Sequence, residues 1–275
     1  MRYFFIFIAA LIISGNNKAQ IKEEWFPAGL NIRPFEANML EPKAGFSFMA
    51  GESRLRLDIS TSQDFYLKEK DNTFFSFGGD LYTYTRLRSE SEFHFPVEAI
   101  DYLFGFNAGY KILNQSDEYG LRLRLSHISA HFVDGKFDSK IQNWSGGDHP
   151  RVYSREFIEL FPYYRYNGLR TYIGLTYLFH VTPKNIGKDI YQLGFDYYMN
   201  WVNTGIFVPY IAYDFKLNKI DVYAGNNVIT AGLKFGKTFG KGISIAYSYF
   251  SGRSIQGEYY DRLENYSAIG INLDL

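Results

Sequence analysis

The chain has 275 residues, 29 lysines and arginines balanced by 29 aspartates and glutamates, and no cysteine. The charge balance excludes the strongly basic surface of a nucleic-acid-binding domain, and the missing thiols exclude disulfide bracing and Cys-ligated zinc. Aromatic residues stand out, with 24 Tyr and 26 Phe but three Trp. Both favour strands, and the apolar ring and polar tip of tyrosine suit a membrane interface.

Residues 1–19 read as a secretory signal peptide. Arg2 supplies a short positive start, residues 3–13 an apolar run and residues 14–19 a small, polar stretch, with cleavage expected before Gln20. The apolar run is shorter than the roughly 20 residues of a membrane-spanning helix, and no later segment offers a long uncharged apolar run. If the exported chain enters a membrane, it must do so as a closed barrel. Residues 20–42 contain Pro27, Pro34 and Pro42 and hold no strand period. They are expected as an irregular lead-in, outside the wall or at its periplasmic rim. Residues 43–275 form the expected barrel.

Alternation begins at residue 43 and continues to the end. Residues 43–50 and 53–60 are joined by a Gly51-Glu52 turn, and 73–86 follow. In 97–113, Ile100, Tyr102, Phe104, Phe106 and Tyr110 share one face, and Asp101, Gly105, Asn107 and Lys111 share the other. This is longer than a soluble strand and suits the tilted span of a membrane strand. Residues 120–135 place Leu121, Leu123, Leu125, His127, Ser129 and His131 on one face and Arg122, Arg124, Ser126, Ile128 and Ala130 on the other. A membrane barrel turns the leucines to lipid and encloses the arginines. Later strands are expected at 151–166, 169–181, 190–198, 205–217, 228–237 and 242–250, with His180 on the lumen face. A last amphipathic strand ends at Leu275. The fold class is therefore all-β, a transmembrane antiparallel up-and-down barrel of about twelve strands. Pro162 and Pro209 are expected to mark bulges. Residues 68–72, 89–96, 133–150 and 251–264 read as long extracellular loops, and Gly51-Glu52 and Asn167-Gly168 as periplasmic turns.

The charges Arg54, Arg56, Asp58, Asp80, Asp101, Arg122, Arg124 and Glu159 share the lumen face, where unpaired charge is costly. A structural ion-pair ladder is expected, with Glu159 beside Arg122 and Arg124. His127 and Ser129 carry the parity of the leucines and face outward near the extracellular end. A histidine beside a serine begins a nucleophile–base pair, and a third group should orient the imidazole. Glu156, on the neighbouring strand with the parity of Ile158 and Leu160, is the candidate. His131 and Asp134 offer only two cation ligands, so no metal is expected. No cofactor is expected either.

His127-x-Ser129 on a lipid-facing strand resembles the outer-membrane phospholipase A and lipid A deacylase barrels. That resemblance implies acyl hydrolysis at the membrane surface by His127 and Ser129. Ala130-His131 follows the serine where the phospholipases commonly have Asn-Gly. The chain also resembles a family of uncharacterised bacterial outer-membrane proteins, through 26–30, 41–43 and the His-x-Ser-x-His-x-x-Asp pattern of His127, Ser129, His131 and Asp134. That likeness implies an outer-membrane barrel and no known reaction.

Two functional readings follow. One is an outer-membrane barrel with a structural or narrow-channel role and a charged, largely filled lumen. The other is a membrane-surface lipid acyl hydrolase using His127, Ser129 and Glu156. The expected location is the outer membrane of a Gram-negative envelope. Outer-membrane lipids and the barrel-insertion machinery are the expected partners, without nucleic acid, and oligomeric state stays open.

Overall fold

The computed structural model describes residues 21–202 and 204–274. The expected signal peptide and Leu275 lie outside them. A short strand β1 (Ile21–Trp25) precedes β2 (Ala44–Met49), β3 (Arg54–Lys70), β4 (Thr73–Arg88), β5 (Val97–Asn114) and β6 (Asp117–Phe132). Two two-residue strands, β7 (Phe137–Asp138) and β8 (Asn143–Trp144), pair within the following loop. The wall resumes with β9 (Tyr153–Tyr166), β10 (Leu169–Thr182), β11 (Ile186–Tyr198) and β12 (Phe207–Ile220). It ends with β13 (Val222–Gly236), β14 (Gly242–Arg253) and β15 (Leu263–Asp274). Each wall strand pairs antiparallel with the next, and β15 closes on β2 from Ala268↔Met49 to Leu273↔Ala44. Twelve strands thus make a closed barrel with no free edge. Strand β1 lies outside this count, paired to the lower part of β3.

The two faces explain why the ring closes around a polar interior. Phe104, Phe106, Leu121, Leu123, Leu125, Ile173 and Tyr177 stand exposed on the outside, where lipid replaces water. Asp101, Arg122, Arg124, Glu159, Arg170 and Asp196 are buried inside. Arg124 is only 1% exposed and pairs with Glu159, with Nε to Oε2 at 2.7 Å, as its parity requires. The remaining lumen charges are satisfied in mixed ways. Arg56 Nε donates to Asp58 at 2.6 Å, Arg54 pairs with Glu264 at 2.7 Å, and Asp80 accepts from Ser62 and Asn107. Asp101 accepts the Gly257 backbone N–H at 2.7 Å.

Strand direction decides which loops share an end. Loops 89–96, 133–152 and 254–262 lie together, and long loops mark the extracellular end. The Gly51-Glu52 turn joins β2 to β3 at this same end, not at the periplasmic one. Residues 68–72 are not a long loop either. Strand β3 continues to Lys70 after a register shift between Asp64 and Tyr66, and only Asp71 and Asn72 make the turn. Asp71 sits at φ 54°, the left-handed region that a two-residue hairpin demands. Asn167-Gly168 turns at the opposite end, with φ 52° at Asn167. Neither expected proline bulge forms: Pro162 faces Leu121 and Pro209 faces Leu233 in unbroken register.

The lead-in differs most from expectation. Its start, Ile21–Trp25, forms the exposed strand β1 at the lower end of β3, and residues 31–41 enter the barrel and fill the lower and middle lumen instead of lying at the rim. Asn31, Ile32, Phe35, Ala37, Asn38 and Glu41 are buried. Glu41 forms a two-bond pair with Arg122, including Nη1 to Oε2 at 2.8 Å. Phe35 packs on Phe161 and Tyr172, and the guanidinium groups of Arg122 and Arg170 lie over its ring at 4.8 and 4.5 Å. The carbonyls of Arg33 and Pro34 accept from Arg170, and those of Met39 and Leu40 from Arg56 and Arg124. A proline-punctuated segment has many backbone groups without ladder partners, and the lumen arginines satisfy several of them.

Candidate active site

The outward end of β6 carries His127 and Ser129, as the leucine parity anticipates. Register places Glu156 of β9 directly opposite His127, and Ser154 opposite Ser129. Non-covalent contacts complete the arrangement. His127 Nδ1 lies 2.6 Å from Glu156 Oε1, and Ser154 Oγ donates to the same oxygen at 3.2 Å. The His127 ring also packs against Phe104, with centroids 5.0 Å apart. Each imidazole nitrogen has one partner at most, so Nδ1 against the carboxylate leaves Nε2 free to accept a proton.

A second histidine joins from the third strand. The pairing of β10 with β9 slips between Leu178 and His180, which brings His180 opposite Glu156. His180 Nδ1 bonds the other carboxylate oxygen, Oε2. The residue expected on the lumen face is thus exposed on the outer one. Strict alternation cannot signal this, because one extra residue inverts every side chain beyond it. Glu156 therefore bridges two imidazoles on the barrel exterior.

No hydrogen bond joins His127 to Ser129 among the described residues. The two side chains share a face two residues apart, a step of about 7 Å along the strand, and both are half-buried. His131 and Asp134 stay outside the cluster. The His131 ring lies near Tyr102, at 6.1 Å between centroids, while Asp134 Oδ1 accepts its neighbour's N–H from Gly135 at 3.0 Å. No group of three or more His, Cys, Asp or Glu side chains among the described residues is arranged to hold a metal ion.

A closed barrel of twelve antiparallel strands, apolar outside and charged within, defines an outer-membrane-type β-barrel. Its fold resembles outer membrane phospholipase A from Escherichia coli, with a TM-score of 0.54 at 13% identity over 87% of this chain and 93% of that chain. An active-site mutant of the same phospholipase gives a TM-score of 0.54 at 12% identity, over 89% and 92% of the two chains. No curated protein matches the sequence. The chain belongs to the DUF1207 family, described as a protein of unknown function, which matches residues 100–275.

Proposed function

We propose that this protein is an outer-membrane barrel that hydrolyses acyl esters of membrane lipids at its outer surface. The observation that carries this reading is the 2.6 Å bond between Glu156 and His127 Nδ1, on the lipid-facing wall beside Ser129. Glu156 holds the imidazole in the tautomer whose Nε2 is basic. His127 then takes the proton of Ser129 as its Oγ attacks the ester carbonyl carbon. Collapse of the tetrahedral intermediate breaks the ester bond, and His127 returns the proton to the leaving alcohol. Water, deprotonated by His127, releases the acyl group as a free acid and restores Ser129.

The surroundings suit a lipid substrate. Leu125, Phe104, Ile158 and Phe179 present apolar surface around the polar cluster, so an acyl chain need not leave the bilayer to reach it. The fold likeness to a phospholipase is consistent with that chemistry. Export by the residue 1–19 signal and assembly by the barrel-insertion machinery belong to the same proposal.

The filled lumen supports a second reading, a non-enzymatic structural barrel, and opposes an open channel. Release of fatty acid from vesicles of outer-membrane phospholipid separates the two, using the refolded full chain and Ser129→Ala. Hydrolysis predicts release by wild type and its loss in the variant, with heat-modified gel mobility preserved in both. Release no faster from wild type than from the variant overturns the hydrolase and leaves the structural barrel.

A further inference from the structure

Above the lead-in the lumen is not completely filled. A cavity of about 70 Å³ has apolar walls that include Ile128, Phe157, Leu178, Ile220 and Phe250, with Ser254 and Ile255 from the extracellular loop. A second, of about 90 Å³, adjoins it, because Met39, Val228 and Phe250 line both. At about 10–15 Å³ per water, the pair has room for on the order of ten waters.

Two cations face the first cavity outside any direct ion pair, with Asp101 acting on Arg155 and Asp214 on Lys216 only from a longer range. Elsewhere in the lumen Arg56 pairs with Asp58, Arg122 with Glu41, Arg124 with Glu159 and Arg170 with Asp196. Arg155 has no ion pair among the described residues. Its Nε is buried without a hydrogen-bond partner, and its guanidinium lies over the Tyr153 ring at 4.7 Å. Lys216 Nζ reaches only Asn38 Oδ1, at 3.5 Å. The two carboxylates in the same lining hold their direct bonds with other residues. Glu159 holds Arg124, and Asp214 accepts from the Tyr172 hydroxyl at 2.6 Å and from Gln192.

Apolar walls beside two cations that hold no direct ion pair fit a carboxylate carried on a hydrocarbon body. We propose that the upper lumen binds an amphipathic monocarboxylate, a short fatty acid. Its carboxylate lies against Arg155 and Lys216, and its chain runs among the apolar walls toward the adjoining cavity. The site is inside the barrel and shares no residue with the His127 cluster, so it stands apart from the hydrolase reading.

Octanoate is the probe, titrated calorimetrically into the refolded full chain in amphipol, with octanol and butyrate as comparisons. Saturable octanoate binding is expected, at least tenfold tighter than either comparison. Arg155→Met combined with Lys216→Met removes the charge contact, and Val228→Trp fills the junction of the cavities; each should weaken binding tenfold or more. Non-saturable uptake, equal binding of octanol, or binding unchanged by the variants overturns the proposal. Should the double variant fail to fold, the wild-type contrast with octanol and the Val228→Trp result decide. Binding is read without turnover, so this outcome is independent of acyl release.

Discussion

Removing the carboxylate of Glu159 isolates one of the most deeply buried charges in the lumen. Arg124 is 1% exposed, and its strong partner is Glu159, with Nε to Oε2 at 2.7 Å. Its other contacts are neutral: the Leu40 carbonyl at 3.1 Å and the Tyr82 hydroxyl at 3.4 Å. Glu159→Ala leaves a guanidinium that can neither reach bulk water nor give up its proton. Breaking such a pair from one side costs about 3–5 kcal/mol. At about 1.4 kcal/mol per decade, that is roughly two to three and a half decades in the folding equilibrium. With a slope of about 2–3 kcal/mol/M, the urea midpoint falls by about 1–2.5 M. Reversible urea unfolding in detergent, followed by tryptophan fluorescence and gel mobility, measures this. Replacing both partners by Arg124→Met and Glu159→Leu removes the stranded charge and should recover most of the loss. A single-variant midpoint within about 0.3 M of wild type, or a double variant less stable than the single, would refute the reasoning.

At the outer site, Glu156→Gln should lower acyl release by about a thousandfold or more, because the imidazole loses the carboxylate that selects its tautomer; His180→Asn should cost far less, and equal losses in both would show that the bridge, not the His127 contact, governs the rate. Planar-bilayer recordings should show no steady pore from wild type and a conducting one after residues 29–40 are deleted; a large wild-type conductance would contradict a lumen filled by the lead-in. In the extracellular loop, burial works to raise the Asp148 carboxyl, but Lys136, at 2.8 Å, and Arg262 outweigh it and hold the group below its ordinary value. A lowered folded value gives stability that is present above the unfolded value of about 3.9 and is lost as pH falls through the folded value. Proteolysis within residues 133–152 by an acid-active protease should therefore rise below about pH 4 in wild type, whereas Asp148→Asn should be cut readily at every pH.

The sequence by itself determined the wall. Period-two alternation is local, so the outward leucines of β6, the inward arginines and the strand number all follow from residues read one strand at a time. The pairing of Arg124 with Glu159 and the approach of Glu156 to His127 followed too, because a hairpin with fixed phase leaves few partners across it. Only the tertiary structure decided where the lead-in goes. Residues 26–43 carry no period, and their place depends on lumen arginines as far away in sequence as Arg170. Glu41, the partner of Arg122, was hidden for the same reason. The one-residue slip between Leu178 and His180 also left no compositional trace, yet it moves His180 from the lumen to the lipid face. A bulge is a property of two strands in register, and a plug is a property of the closed ring, so neither is written in the local pattern of one segment.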